Sequence, residues 1–582
     1  MTYMFDNIKT FDDAYEIIKN NIRKINDFEY VSVYDAFGRI CHDDIYSVNN
    51  LPLFSRSQVD GYAVITSDLQ NADREHPVTL ELAGQTYIGN PPVNHPGNGK
   101  CMKVPTGAAI PVGADAMVPF EDAAINGNMV TFNAPVDKFN EISNAGLDVM
   151  RGERLAEKFK MLDERDISVI AATGQNVIKV FRKINIGIIP TGDELIRPGE
   201  NYVEGKIFES NSIAIYQALK KYNSFNVKIY DIVRDSYEEL KKVINASVIE
   251  NDVTITIGST SAGEMDYVYK IIGEYKPGIL FHGVRVKPGK PVLFAKAGER
   301  DIFGLPGFPV SSIMLLYTMV LPNIFSMVNY NFKNYSVNAI AGEPFDLHRG
   351  NTDILLLKLV RHKGSYFAYQ VRGNSGSISR IMRANGFSTH NSVTGTLQKG
   401  DGINVNLFDP HIPEILIAGQ YLPDMEFMPY DLKINSIFAE FTYNDIRESM
   451  LNNEADVYIS NYNEDLYNEN YDKITFLKNY GLYFNKKDYK YLAVLYKDSG
   501  LFNICHDYIE GSNIILLDRP GMIPDYVFNK RCDAGISYSD YSEMYKIPFE
   551  PLGRIRFNVY INKTGNYYKI LFDFFNSIKD KN

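Results

Sequence analysis

Residues 184–195 read INIGIIPTGDEL and residues 252–272 read DVTITIGSTSAGEMDYVYKII. Each opens with an apolar, β-branched run of strand length and passes into a turn rich in Thr, Gly, Ser and acidic residues. In the second stretch the turn leads into apolar residues at helical spacing. Between them, SNSIAIYQALKKY (210–222) and SYEELKKVINASVIE (236–250) read as helices and FNVKIYDIVRD (225–235) as a strand. Strand and helix alternate, which is the pattern of a mostly parallel sheet covered by helices. Ligands of such sheets bind beyond the carboxyl ends of the strands, where these polar turns fall.

Outward from this segment the rhythm changes on both sides. FDDAYEIIKNNIRKIN (11–26) reads as a helix behind an acidic first turn, and residues 161–180 as a return to helix. GYAVIT (61–66), VTLELAG (78–84) and NMVTFNAP (128–135) are short β-like runs divided by Gly, Pro and Asn. DILLLKLVRH, SYFAYQV and GDGINVNLF, between 353 and 408, are β-rich again, and from 411 a second α/β pattern begins. A chain of 582 residues exceeds one core. The fold class is therefore multidomain α/β plus β. The expected units are a helical domain over 1–50 and 141–180, an inserted β domain over 51–140 and an α/β domain over 181–329. A β-barrel-like domain over 330–408 and a further α/β domain over 411–582 follow.

The hydrophobic content of 45% and charged content of 23% are those of a soluble globular protein. A net charge of -11 argues against a general nucleic-acid surface. The first residues have neither the basic nor the apolar region of a signal peptide, and no window approaches the ~20 apolar residues of a membrane span. Cys41, Cys101, Cys505 and Cys532 are scattered and fit neither a zinc site nor a disulfide framework. The expectation is a cytoplasmic protein with reduced thiols, acting on no nucleic acid and no membrane.

Four loops carry the polar chemistry. PTGDEL (190–195) ends a strand with Asp193 and Glu194, as a carboxylate pair or as the acidic start of the next segment. GSTSAGEMDY (258–267) lets backbone N–H groups approach an anion at a helix start, or is a plain strand-to-helix loop. RVKPGKPVLF (285–294) flanks a stiff Pro288-Gly289 turn with Lys287 and Lys290. Two cations so held repel unless an anion lies between them, and a solvated turn is the other reading. GLPGFPVSS (304–312) is a second stiffened loop, ending in the hydroxyls of Ser311 and Ser312.

Taken together and in order, SQVDGYAV (57–64), PTGAAIPVGADAMVP (105–119), GLDVMRGERL (146–155), PTGDELIRPGE (190–200), GKIFESNS (205–212), GSTSAGEMDY, VKPGKPV (286–292) and GLPGFPVSS resemble the molybdopterin molybdenumtransferase family, also known from the E-domain of gephyrin. The resemblance covers residues 1–408. It implies that the 181–329 domain binds molybdopterin. The reaction it implies hydrolyses adenylylated molybdopterin, releases AMP and inserts metal from molybdate into the dithiolene, with Mg2+ assisting. It assigns Asp193 and Glu194 to cofactor contact, metal binding and adenylyl cleavage. Ser261, Gly263 and Asp266, with Asp235 beside them, are assigned to the pterin and phosphate cradle. Lys287 and Lys290 fall to the oxyanion and dithiolene site, with Ser311 ending the neighbouring loop. Arg349 of EPFDLHRG and Ser377 of GNSGSISR complete the molybdate pocket. Asp60 and Thr106 match positions that reach into a partner subunit's site, so a homodimer is implied; Asp148 is retained from the family's R-x-x-G-E-D motif.

The sequence departs from the family at Ser259 for a Gly, Phe308 for an Asn, and Ser143 and Leu147 for the Arg and Glu of R-x-x-G-E-D. Residues 411–582 resemble a two-lobed periplasmic-binding-protein-like domain. Two other functions are consistent with the residues: molybdopterin adenylyltransfer, and a catalytically altered carrier, sensor or scaffold.

Overall fold

The computed structural model describes residues 8–258, 267–391 and 395–420. Beyond these it describes 422–579 apart from 423–424, 426–427, 429–431, 434–435, 441–442, 462–465, 467, 486–489, 496–512 and 518–521. The chain forms two compact units. The first comprises Met1–Val284, Pro291–Gly307 and Ser311–Phe332, and the second comprises Arg285–Lys290, Phe308–Val310 and Lys333–Asn582.

The heart of the first unit is a six-stranded sheet. Its elements are β1 (Ile184–Pro190), α1 (Asn211–Lys220), β2 (Phe225–Ile229), α2 (Tyr237–Glu250), β3 (Val253–Ile257), α3 (Tyr267–Gly273), β4 (Pro277–His282), β5 (Leu293–Ala297) and β6 (Arg300–Leu305). The strand order is β2-β1-β3-β6-β5-β4. The first four strands are parallel, whereas β5 and β4 run antiparallel. The sheet is thus mixed: β4, β5 and β6 are joined by short connections that leave no room for a crossover helix. Every residue of β3 is buried, as a strand covered on both faces requires.

The helix at the start of the chain is shorter than its periodicity suggests. It spans Phe11–Asn21 behind a Thr10 cap and ends where Ile22 turns extended. Arg23 is drawn instead to the amino edge of the sheet. There its N–H donates to Asp301 Oδ2 at 3.0 Å and its guanidinium to Asp252 at 3.1 Å. Asp252, 1% exposed, also receives Arg182 at 2.7 and 3.0 Å, Arg300 at 2.6 Å and the Asn185 N–H at 3.0 Å. Burial pulls the Asp252 carboxyl up. The Arg182 hydrogen bonds, the Asn185 amide and the positive charge of Arg182 and Arg300 outweigh burial and leave the carboxyl below its ordinary value.

Residues 161–180 are not one helix. A capping box of Asp163 and Asp166 starts a helix at Glu164–Ala172, and Gly174, at φ +86°, follows its end. The β-branched run Val177–Phe181 then pairs antiparallel with Phe28–Ser32. Residues between 61 and 132 form a separate six-stranded sheet around Tyr62, Val64, Leu80, Val118, Val130 and Phe132. The apolar helix Pro309–Ser326 is long enough to span a bilayer by length and composition, but 72% of it is buried in the protein's own interior.

In the second unit, Thr352–His362 pairs with Ser365–Gln370 along its later half and with Gly386–Asn391 along its earlier half. Ser336–Ala341 and Gly402–Leu407 complete the circuit, so the sheet closes on itself. Val286–Lys287 joins it in parallel beside Thr352 and Asp353. Residues 415–562 form a continuous eight-stranded sheet. Two parallel three-stranded groups flank two antiparallel strands of 14 residues each, Tyr471–Phe484 and Phe549–Asn562. This sheet is seated on the closed one by an apolar cluster that includes Val360, Tyr369, Leu416, Ala418, Tyr458 and Tyr560.

Candidate active site

Parallel strands β1, β2, β3 and β6 end on one edge of the central sheet, and the polar turns of the sequence follow them. Pro190 closes β1 because it has no N–H for the ladder. Thr191 then hydrogen-bonds Ile257 O through both its N–H, at 2.9 Å, and its hydroxyl, at 3.1 Å. Gly192 N–H donates to Val233 O at 3.1 Å, and Val233 N–H to Pro190 O at 2.9 Å. The loops after β1, β2 and β3 are therefore stitched to one another. Gly258, at φ +96°, packs so closely on Thr191 that a Cβ there would lie 2.5 Å from Thr191 O.

This stitching sets the carboxylates. Asp193 and Glu194 are exposed, and Asp193 Oδ1 accepts the N–H of Asp235 at 3.3 Å. The Lys206 ammonium donates to the Asp193 carbonyl. Ile207 N–H to Glu194 O, at 2.8 Å, ties a small ribbon to the same turn. Asp193, Glu194 and Asp235 thus share one edge, while Ser261, Gly263 and Asp266, together with Ser259, lie outside the described residues. The donors are oxygen only, and no ready cluster of three or more metal-ligating side chains occurs among the described residues. One or two carboxylates completed by water and phosphate is how Mg2+ is usually held, so the set fits that ion bound together with a phosphorylated substrate.

Sequence reasoning passed over two residues at this edge. Glu209, 5% exposed, accepts Ser212 N–H and Oγ–H at 2.7 Å each, anchoring the first turn of α1. Asn211 Nδ2 donates to Gly307 O at 2.6 Å, and its Oδ1 is buried without a hydrogen-bond partner among the described residues. Both lie in GKIFESNS, where the signal was a polar triplet at a helix start. Ser311 is 3% exposed and belongs to the buried helix behind this edge.

Elsewhere in the same unit, Asp60 Oδ1 accepts the N–H of Thr106 at 2.8 Å, so two positions 46 apart in sequence meet. Gly61 permits this turn, because a Cβ there would lie 2.2 Å from Val118 O. Asp148 lines a cavity of about 580 Å3 with Arg56, Ser143, Leu147 and Phe54. Both departures from R-x-x-G-E-D face this one space, and Arg56 pairs with Ser143 across a two-stranded ribbon.

In the second unit the cationic turn is held by the closed sheet. Lys287 and Lys290 are exposed on either side of Gly289, which has φ +117°. Lys287 lies in register with Asp353, and its ammonium meets His348 Nε2 at 2.6 Å. Arg349, next to His348, packs its side chain against Gly395, where a Cβ would lie 3.0 Å from Arg349 Nε. Ser377 donates to Asn374 Oδ1 at 3.1 Å. Phe308 lies over the same loop, its ring 3.6 Å from where a Cβ on Gly376 would sit.

Three family models match the chain. They are the MoeA N-terminal region (domain I and II) over residues 9–174, a probable molybdopterin binding domain over 187–326, and the MoeA C-terminal region (domain IV) over 338–408. A molybdopterin molybdenumtransferase of Haemophilus influenzae is 33% identical over 297 residues, 51% of this chain and 72% of the relative. A putative molybdopterin biosynthesis protein of Methanocaldococcus jannaschii is 34% identical over 290 residues, 48% of this chain and 70% of the relative. The molybdopterin biosynthesis MoeA protein of Pyrococcus horikoshii has a solved structure that superposes with a TM-score of 0.59 at 26% identity, covering 69% of this chain and 100% of the other.

Proposed function

We propose, from the premise that the chain belongs to the molybdopterin molybdenumtransferase (MoeA) family, that it is an enzyme of molybdenum cofactor biosynthesis. Its reaction cleaves adenylylated molybdopterin, releases AMP and inserts metal delivered as molybdate. The observation that carries this reading is the carboxylate edge of the central sheet, where the Asp193 carboxylate accepts the backbone N–H of Asp235 at 3.3 Å with Glu194 beside it. That the resemblance extends to 9–174 and 338–408, and not to 187–326 alone, favours metal insertion over adenylyl transfer.

The roles divide by chemistry. Asp193, Glu194 and Asp235 hold hard cations and polar groups at the pyrophosphate, and Asp266 shares that work. Ser261, Gly263 and Ser311 serve the substrate cradle. Mg2+ bound by these carboxylates supplies neutralisation of the pyrophosphate charge. Lys287, Lys290, Arg349 and Ser377 serve the molybdate dianion with charge and hydrogen bonds. Asp60 and Thr106 act in a homodimer, completing the site of the other copy, and Asp148 serves cofactor binding. Buried, unpaired Cys41, Cys101 and Cys532 support a reducing compartment, the cytoplasm.

We read residues 411–582 as a two-lobed domain. Ser460 is level with Asn558 and Thr475, and Tyr538 is level with Tyr480. The carboxyl ends of both parallel groups therefore converge on the middle of the two long strands, which supports a cleft there.

The test supplies purified protein with adenylylated molybdopterin, Mg2+ and molybdate and follows AMP release and metal incorporation. Glu194→Ala and Lys290→Ala are expected to lose both by at least ~100-fold. Binding of substrate with neither AMP nor metallated product would sink the enzyme reading and leave a carrier or sensor.

A further inference from the structure

Lys287 Nζ meets His348 Nε2 at 2.6 Å, and His348 Nδ1 meets Asp353 Oδ1 at 2.8 Å. The second Asp353 oxygen accepts the His348 N–H at 2.6 Å. Asp353 is 3% exposed, on a strand of the closed sheet, and lies in register with Lys287 itself. The protons of this chain follow from the donor inventory. A lysine ammonium only donates, so Nε2 accepts; the ring proton is therefore on Nδ1 and donates to the carboxylate. The imidazole is neutral, its tautomer fixed by Asp353 as a histidine's is fixed by the group behind it.

This arrangement orients a cation without cancelling it. Among the described residues Lys287 forms no ion pair, and a neutral acceptor leaves its charge whole.

We propose that His348, locked by Asp353, positions Lys287 for the oxyanion, so that molybdate meets an ammonium already aimed. This rests on Lys287 being an oxyanion ligand. A flexible lysine would have to be ordered on binding, at a cost in affinity that the relay removes.

The test measures molybdate KM and kcat for AMP release, together with molybdate binding by calorimetry, in His348→Leu, His348→Gln, Lys287→Gln and the double variant His348→Leu/Lys287→Gln. His348→Leu is expected to raise molybdate KM and Kd about 10-fold with kcat less affected. His348→Gln, whose amide both accepts from Lys287 and donates to Asp353, restores most of it. In the Lys287→Gln background His348→Leu should add nothing. Equal losses in His348→Leu and His348→Gln, additive losses in the double variant, or wild-type molybdate affinity in His348→Leu would each overturn the proposal. Wild-type values for Lys287→Gln would instead remove the reading of Lys287 on which it stands. His348 is half-exposed, so unfolding does not confound these variants, and unchanged melting temperatures check this.

Discussion

Replacing Gly258 by Ala tests whether the stitched loops set the geometry of the carboxylate edge. The new Cβ would sit 2.5 Å from Thr191 O and 3.0 Å from Thr191 Oγ1, and ordinary contact begins at 3.4 Å. Thr191 is backbone-tied to Ile257, so it yields only by moving the turn that carries Asp193 and Glu194. The displacement needed is about 0.9 Å. Misplacement of that size costs about 100-fold in rate at a preorganised site, so AMP release should fall ~30–100-fold. The left-handed φ of +96° adds strain of about 1–3 kcal/mol, so urea unfolding should show a loss of ~2–4 kcal/mol in all. Gly298→Ala is the control. Gly298 has φ +59°, in the hairpin between β5 and β6, and has nothing within 4 Å of its Cβ position. It should lose about 1 kcal/mol and no activity. Gly258→Ala behaving like Gly298→Ala in both measurements would refute the argument that this contact spaces the site.

Two further predictions concern stability and reactivity. Asp252→Ala leaves Arg23, Arg182 and Arg300 without their shared carboxylate and should cost ~3–5 kcal/mol in denaturant titrations. Because the folded Asp252 carboxyl lies below its ordinary value, its stabilisation is present above pH ~4 and is lost as pH falls further; the variant should lack that part of the acid limb. Asp301, raised by burial, contributes in the opposite sense and must be held constant in the comparison. Burial pushes the thiols of Cys41 and Cys101 up to about 12 and that of Cys532 up to about 11. At pH 8 fewer than about one in a thousand of these thiols is ionised. Peptide mapping after a thiol reagent should find all three unmodified in the native protein and modified in urea, and native labelling would contradict their placement.

The α/β segment was legible because strands buried on both faces carry unbroken β-branched runs, as in VTITI of β3, and the turns after them carry their own polar signature. Element ends were less legible. Arg23 to Asn26 continue a helical pattern, but Arg23 is taken by Asp252 and Asp301, which lie more than 200 residues away. VIKVF reads as part of a helix because its pairing partner, Phe28–Ser32, lies far from it in sequence. The 14-residue strand Tyr471–Phe484 carries Lys478, a residue that reads as surface; it is 3% exposed and paired with Asp540 at 2.8 Å. For the site, motif residues told which loops matter, while His348 and Asp353 were silent. Their role depends on register between a short strand at 286–287 and the start of the strand Thr352–His362, and ladder register is a non-local property.

The cations of this acidic chain fall into different kinds. Arg23, Arg182 and Arg300 converge on the buried Asp252, Lys296 on Asp301 and Lys478 on Asp540; each is matched by a carboxylate in direct contact. Such pairs hold the chain together and have no charge to spare for a ligand. Lys287 differs in kind. Its contact is an imidazole that cannot neutralise it, and the carboxylate that orders the pair stands one residue farther back. A fold selected for stability alone would bring Asp353 to the ammonium directly, since the two residues are already in register. Inserting a neutral acceptor between them sacrifices that ion pair and keeps a fixed, uncancelled positive charge at the surface. Only a function that needs the charge, such as meeting an oxyanion, gains from that arrangement.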